Sequence, residues 1–306
     1  MASAEMGITT FDCADIYTGV EDLYGSFLAR WRSTSSVHIQ IHTKFVPDYD
    51  DLSDVDKRYV ERVIDRSLKR LGVERLDLVQ FYWWRDDVPG LEETGLWLAE
   101  LRDAGKIRHL ATTNLDTARL ERLESAGVRL VANQVQYSAL DRRPEHGLAE
   151  YARPRGMQLL CYGTLAGGLL TDRWLGRAWG DAPDTRSLTK YRLIVDEFGG
   201  WEAYQSLLGT LRTIAVSHGS DIASVAVRFV LDQQAVGALI IGATRLGQMA
   251  GTAGAFDIAL GEADHAAIRT HLDAANGPDG DVFDLERDRS GPHGSIMRYD
   301  LNRGGP

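Results

Sequence analysis

Four polar residues stand out by type and position: Asp12, Lys44, Tyr82 and Gln134, each near the end of a short β-rich run. A carboxylate beside an ammonium, with a phenol and an amide close by, is a set that can hold, orient and pass a proton. Whether the four meet depends on which face of each run they occupy. In VHIQIHTKF (37–45), Val37, Ile39 and Ile41 share one parity, and His38, Gln40, His42 and Lys44 the other. In LDLVQFYW (76–83), Val79 and Phe81 oppose Gln80 and Tyr82. In ITTFDC (8–13), Phe11 opposes Thr10 and Asp12; in LVANQVQY (130–137), Val131 and Val135 oppose Gln134 and Gln136. Successive side chains of a strand point to opposite faces, so each run has a distinct polar face. If helices cover the apolar faces, the polar ones line the lumen of a barrel, and the four residues converge near the C-terminal strand ends. Barrel enzymes build their sites there.

The elements that would position them alternate along the chain. Further β-rich runs are IRHLATTN (107–114), QLLCYGT (158–164) and GALIIG (237–242), with helical patterns between. Residues 54–71 are one such helix: Ser53 and Asp56 stand in capping-box spacing, Val60, Ile64, Leu68 and Leu71 recur on one face, and Gly72 ends it. Alternation of this kind implies parallel strands joined by right-handed crossovers. A chain of 306 residues suits one (β/α)8 barrel of the TIM type, here expected as a single domain over residues 1–306. Residues 171–200 read as a long irregular loop and residues 276–306 as an irregular tail.

Composition narrows the function classes. The net charge is −10 and no Lys/Arg cluster appears, which argues against a binder of nucleic-acid backbones. No run approaches the roughly 20 apolar residues of a membrane span, and MASAEMGITTFD lacks the pattern of a secretory signal. Cys13 and Cys161 lie far apart inside apolar segments, as two buried thiols in a reducing, cytoplasmic setting would. His38 and His42 share a strand face, but no carboxylate or Cys completes a metal ligand set. Trp83, Trp84, Trp174 and Trp179 either line a substrate pocket or pack loops. Oligomeric state is not legible.

Six segments, in order from residue 7 to residue 248, resemble the aldo-keto reductase superfamily. GITTFDCADIYTGVEDLYGSFL resembles the segment that opens its active site, an Asp five residues before a Tyr, and HTKF the strand end that supplies its lysine. LATTNLD is similar to the Ser/Thr-Asn segment at the nicotinamide carboxamide, and NQVQYSALDRR to the strand whose Gln meets that same amide. LLCYGTLAGGLL resembles the strand whose Tyr stacks on the nicotinamide, and IIGATRLGQ the loop that grips the adenosine phosphate. The resemblance implies an NADP(H)-dependent oxidoreductase that interconverts a carbonyl and an alcohol by hydride transfer. It also implies a barrel that begins with a strand and helix ahead of ITTFDC. This chain shows seven strand candidates, with only Ala4, Glu5 and Met6 resembling a helix end before them, so a barrel lacking its first βα unit is expected. Either the chain is shortened relative to its natural reading frame, or the tail or a partner covers the gap.

Roles follow residue by residue. Hydride transfer to a carbonyl builds negative charge on oxygen, which calls for a proton donor at that point. A free tyrosine, with a pKa near ~10, is a reluctant acid; an adjacent ammonium stabilises its phenolate, and a carboxylate fixes that ammonium. Tyr17 is then the proton donor, Lys44 its tuner and Asp12 the anchor. Thr113, Asn114 and Gln134 take the carboxamide, and Tyr162 the ring. Gly163, Thr164, Leu165 and Gly167 bring backbone amides to the pyrophosphate. Gly242, Ala243, Thr244, Arg245 and Gln248 take the adenosine end, with Arg245 on a 2′-phosphate. The family often continues with Glu-Asn where this chain has Gly251-Thr252, which weakens the expected adenine contact. A second departure is sharper: Tyr82 stands where the family carries a His that polarises the carbonyl. Three readings stay open: a reductase with a phenolic donor, altered chemistry on the same cofactor, or a cofactor-binding regulatory or sensor protein without turnover.

Overall fold

Seven β-strands are found among the described residues of the computed structural model, which are 1–180, 185–242 and 252–299. They are β1 (Thr10–Asp12), β2 (Gln40–Phe45), β3 (Leu76–Phe81), β4 (Ile107–Thr113), β5 (Ala132–Gln136), β6 (Gln158–Tyr162) and β7 (Val236–Ile240). Each expected strand is present and shorter than the β-rich run that announced it, with β7 beginning one residue early, at Val236. The chain packs as two compact units, residues 1–134 with Arg298 and Tyr299, and residues 135–297.

In the first unit β1 to β5 pair in parallel and in chain order. The register sets Asp12 beside His42, Lys44 beside Gln80 and Thr113 beside Gln134. The alternation holds where it matters: Ile41, Phe45, Val79 and Phe81 are buried on the apolar parity, and Lys44, Gln80 and Gln134 are buried on the polar one. Val37 and Val131 fall ahead of their strands and are exposed. The helices of this unit are α1 (Ala2–Glu5), α2 (Val20–Arg32), α3 (Lys57–Leu71), α4 (Leu91–Asp103) and α5 (Thr117–Ser125).

α3 buries Val60, Val63, Ile64 and Leu71 along one face and stops at Gly72, which takes the left-handed φ of 62° that a C-terminal cap of this kind favours. Its start corrects the capping-box reading. Ser53 lies in a preceding 3-10 turn (Tyr49–Asp54), and Asp56 is the N-cap, its carboxylate accepting from Tyr59 N at 2.6 Å. Asp56→Ala should therefore cost about 1 kcal/mol of stability, and Ser53→Ala close to nothing. Urea denaturation of the two variants checks this; a lower midpoint for Ser53→Ala than for Asp56→Ala would return the cap to Ser53.

In the second unit the last residues of β5 are followed by β6 and β7. The ladder continues past β5, with Tyr137 N donating to Tyr162 O at 3.0 Å, and β6 and β7 pair in parallel. The helices are α6 (Leu148–Ala152), α7 (Arg186–Phe198), α8 (Gly200–Ser217), α9 (Ile222–Leu231), α10 (Glu262–Ala274) and α11 (Asp284–Arg287). The expected loop at 171–200 is overturned by α7. Tyr191, Ile194, Val195 and Phe198 recur at helical spacing and are all buried, and Thr185 caps the start by accepting from Leu188 N. The Arg, Asp and Gly residues around it hid a short amphipathic helix. Beyond α10 the described residues of the tail, 276–299, carry little regular structure, as expected, but they are packed: Val282, Phe283, Glu286 and His293 are buried. No single helix among the described residues is long and apolar enough to cross a membrane.

Candidate active site

Asp12 closes β1 and gathers three strands around its carboxylate. Lys44 Nζ donates to Oδ2 at 2.6 Å, while Gln80 Nε2 and Gln134 Nε2 donate to Oδ1 at 2.8 and 2.7 Å. The ammonium also donates to Cys13 O at 2.7 Å, so two of its three protons are committed. Its nitrogen lies 5.6 Å from the centre of the Tyr17 ring, which is 45% exposed. The arrangement is a fixed cation beside a solvent-reachable phenol. Asp12, Lys44 and Gln134 thus meet as the parity argument required, and Gln80 joins them. Gln80 was legible as a member of the polar parity but received no role.

Tyr17 sits on a turn between β1 and α2. Its N–H donates to Ala14 O and its carbonyl accepts from Val20 N. Arg70, from α3, donates to Asp15 O at 3.3 Å and to Glu21 at 3.3 Å, and Thr43 of β2 donates to Glu21 at 2.7 Å. Burial first, and Glu21 second, push the Asp15 carboxyl up to about 8, with Arg66 opposing them. The segment carrying the phenol is therefore tied to two elements by buried polar groups. His42 shares the lumen parity, but burial lowers its pKa and favours a neutral ring. Cys13 is a free, buried thiol pushed up to about 12 by burial, and Cys161 is likewise free and raised by burial.

Tyr82 follows β3 directly. It is buried, its N–H donates to Phe45 O at 3.2 Å, and its ring stands edge-on to Trp84 with centroids 4.8 Å apart. Trp84 Nε1 donates to Pro47 O, and Trp83 is wholly buried and donates to Val88 O. Trp83 is thus core rather than pocket wall. Thr113 and Asn114 end β4 against β5: Thr113 Oγ1 donates to Gln134 O at 3.3 Å and Asn114 N to the same oxygen at 2.8 Å. Asn114 then turns into the left-handed region, φ 55°, which ends the strand beside Gln134.

In the second unit Tyr162 ends β6, and burial, then Glu286, raise its pKa well above the ordinary value. The chain leaves it through Gly163 (φ 74°), Thr164, Leu165 and a 3-10 turn in which Gly167 and Gly168 also have positive φ. A Cβ at Gly163 or Gly167 would collide with the Tyr191 ring of α7, so only glycine lets backbone and helix approach this closely. Thr164 Oγ1 is buried without a hydrogen-bond partner. A small-residue loop with an orphaned hydroxyl fits a phosphate-bearing ligand that would supply the missing partner. Trp174 and Trp179 stack at 5.6 Å with Trp201 edge-on to both, which is loop packing.

One buried cluster had no sequence signal. Arg143 forms bidentate pairs with Asp141 and Glu286, at 2.8 to 3.1 Å, all three side chains being at most 1% exposed. Lys190 lies 3.8 Å from Glu286 and 5.2 Å from the centre of the Tyr162 ring. Burial alone would raise Glu286, but the Arg143 hydrogen bonds and charge, with Lys190, hold its carboxyl down at about 2. Of the remaining expected residues, Gly242 is exposed just beyond β7, and Ala243, Thr244, Arg245 and Gln248 lie outside the described residues. Among the described residues no group of three or more His, Cys, Asp or Glu side chains is placed to hold a metal ion.

Comparison with known proteins agrees with the geometry. The aldo/keto reductase family profile matches residues 1–273. The chain is 27% identical to the aldo-keto reductase YhdN of Bacillus subtilis over 282 residues, covering 89% of this chain and 82% of the relative. It is 30% identical to the protein tas of Escherichia coli K12 over 278 residues, 79% of each chain. Among solved structures, the glycerol dehydrogenase AKR11B4 of Gluconobacter oxydans matches with a TM-score of 0.76 and 26% identity, over 91% of this chain and 85% of that one. With the sequential parallel strands, that likeness gives the α/β fold class of the TIM-type barrels. The profile, the relatives and the lysine–carboxylate pair beside a tyrosine agree: this chain is an oxidoreductase that belongs to the aldo/keto reductase family.

Proposed function

We propose that the chain reduces a small aldehyde or ketone to its alcohol, and runs the reverse oxidation, with NADP(H) as the hydride carrier and as one catalytic domain in the cytoplasm. The observation that carries this is the Lys44 ammonium, fixed by Asp12 and Cys13 O and held 5.6 Å from the Tyr17 ring. When bound, the reduced nicotinamide supplies the hydride to the carbonyl carbon. Tyr17 gives its phenolic proton to the carbonyl oxygen and, being exposed, regains one from solvent. Lys44 stabilises the phenolate left behind, and Asp12 keeps that ammonium in place. Tyr82 is the second donor toward the carbonyl, in the role a neutral imidazole has in the family. Thr113, Asn114 and Gln134 hold the carboxamide. Tyr162 would take the nicotinamide ring, and Gly163, Thr164, Leu165 and Gly167 would hold the pyrophosphate, where the Thr164 hydroxyl is buried with no hydrogen-bond partner. Arg245, with Gly242, Ala243, Thr244 and Gln248, receives the adenosine end. Two buried, unpaired thiols support a reducing compartment.

The test is fluorescence titration with NADPH and NADH, followed by a carbonyl panel. Likeness to a glycerol dehydrogenase puts short polyols and their aldehydes in that panel. NADPH is expected to bind about tenfold more tightly, the effect of one charge-assisted contact to the extra phosphate. Equal affinities, or an Arg245→Ala variant with undiminished preference, would remove Arg245 from that role. Tight binding without turnover of any carbonyl would favour the sensor reading that Tyr82 keeps open.

A further inference from the structure

Asp12 is served by two glutamines, and its chemistry fixes how each must lie. Gln80 and Gln134 both reach Oδ1, at 2.8 and 2.7 Å, while Lys44 takes Oδ2. An ionised carboxylate only accepts hydrogen bonds, so each glutamine must present its NH2 group here. Gln134 is then left with its carbonyl Oε1 and a second N–H for other partners. Gln80 differs: its Oε1 is buried and makes no hydrogen bond. An aliphatic side chain would fill the same place on β3, between Val79 and Phe81, without leaving a polar atom unpaired. What an aliphatic chain could not do is donate to Asp12, directly beside the register partner Lys44.

We propose that Gln80 is a positioning residue of the hydride-transfer site. By sharing Asp12 Oδ1 with Gln134, it holds the carboxylate so that Lys44 stays aimed toward Tyr17. It also keeps the Gln134 carbonyl available to the carboxamide N–H of a bound nicotinamide. The inference deepens the reading under Proposed function and rests on it. The titratable groups facing Asp12 are Lys44, its register partner His42, Cys13 and Tyr24, with Tyr17 beyond Lys44. Burial lowers His42 and raises Cys13 and Tyr24, so all three are neutral near pH 7.

Two variants of nearly unchanged shape separate positioning from packing. Gln80→Met removes the donor; kcat/KM for carbonyl reduction should fall about tenfold and the NADPH Kd should rise about threefold, the loss of one charge-assisted hydrogen bond shared between two readouts. Gln80→Glu places a carboxyl against Asp12. Protonated, it donates as the amide did; ionised, it repels. Relative to wild type, that variant should bind and turn over best near pH 6 and lose both steadily toward pH 9, a dependence that packing alone would not produce. Wild-type kcat/KM and Kd in a folded Gln80→Met protein, or a Gln80→Glu ratio flat with pH, overturns the proposal. If Gln80→Met does not fold, the pH ratio of Gln80→Glu decides alone. An active wild type with indifferent Gln80 variants sinks only this inference. A wild type that reduces no carbonyl sinks the reductase reading, and the NADPH Kd series still judges Gln80. Absence of any nicotinamide binding sinks both.

Discussion

Tyr17→Phe is expected to lower kcat for carbonyl reduction by about a thousandfold while the NADPH Kd moves by less than about twofold. The substitution removes one oxygen from a ring that is nearly half exposed, so neither packing nor the fold should suffer. The Lys44–Asp12 pair would stay closed, because its bonds to Asp12 and Cys13 O do not involve the phenol. What disappears is the proton that must reach the substrate oxygen as the hydride arrives. Water at that position could supply it only weakly, since it is neither placed nor tuned. The experiment is steady-state kinetics on the best carbonyl of the panel, with cofactor Kd measured by fluorescence. A fall of less than about tenfold would move the donor role to Tyr82, the other phenol. A large rise in Kd would mean that Tyr17 holds cofactor rather than proton.

The strands and the polar parity were legible because they are local: two-residue alternation around Lys44, Gln80 and Gln134 is written in the strands themselves. The register that brings Lys44 beside Gln80, and both onto Asp12, follows once the strands are parallel and in chain order. Three things were not legible. Gln80 looked like any inward residue until its hydrogen bond to Asp12 showed why a donor stands there. α7 was masked by its flanks, since a helix whose apolar face is Tyr191, Ile194, Val195 and Phe198 reads as irregular when Arg, Asp and Gly surround it. Arg143 and Glu286 are separated by most of the second unit, and nothing near either residue announces the other. Pairing of buried charges is a tertiary decision, which neither periodicity nor propensity records.

That pairing carries the second large effect. Arg143→Met should destabilise the chain by about 3–5 kcal/mol, the usual result of removing one partner from a buried ionic group. The guanidinium is 1% exposed and makes four charge-assisted bonds, to both oxygens of Asp141 and both of Glu286. Without it two carboxylates remain buried, with Lys190 3.8 Å from one of them as the nearby cation. The pH dependence should change sign. In the wild type Glu286 is held at about 2, below the ordinary 4.5. Its contribution is therefore complete above the unfolded value and lost as pH falls through about 2. In Arg143→Met the burial that Arg143 had overcome dominates, the Glu286 carboxyl rises above its unfolded value, and the folded state binds the proton more readily than the unfolded one. The variant should then gain stability relative to wild type as pH falls from 7 toward 5. Urea midpoints of both proteins at pH 5, 6 and 7 measure this. A gap that is constant with pH would mean that Arg143 contributes through its packing, and a gap below about 1 kcal/mol would mean that the cluster relaxes to let water reach the carboxylates.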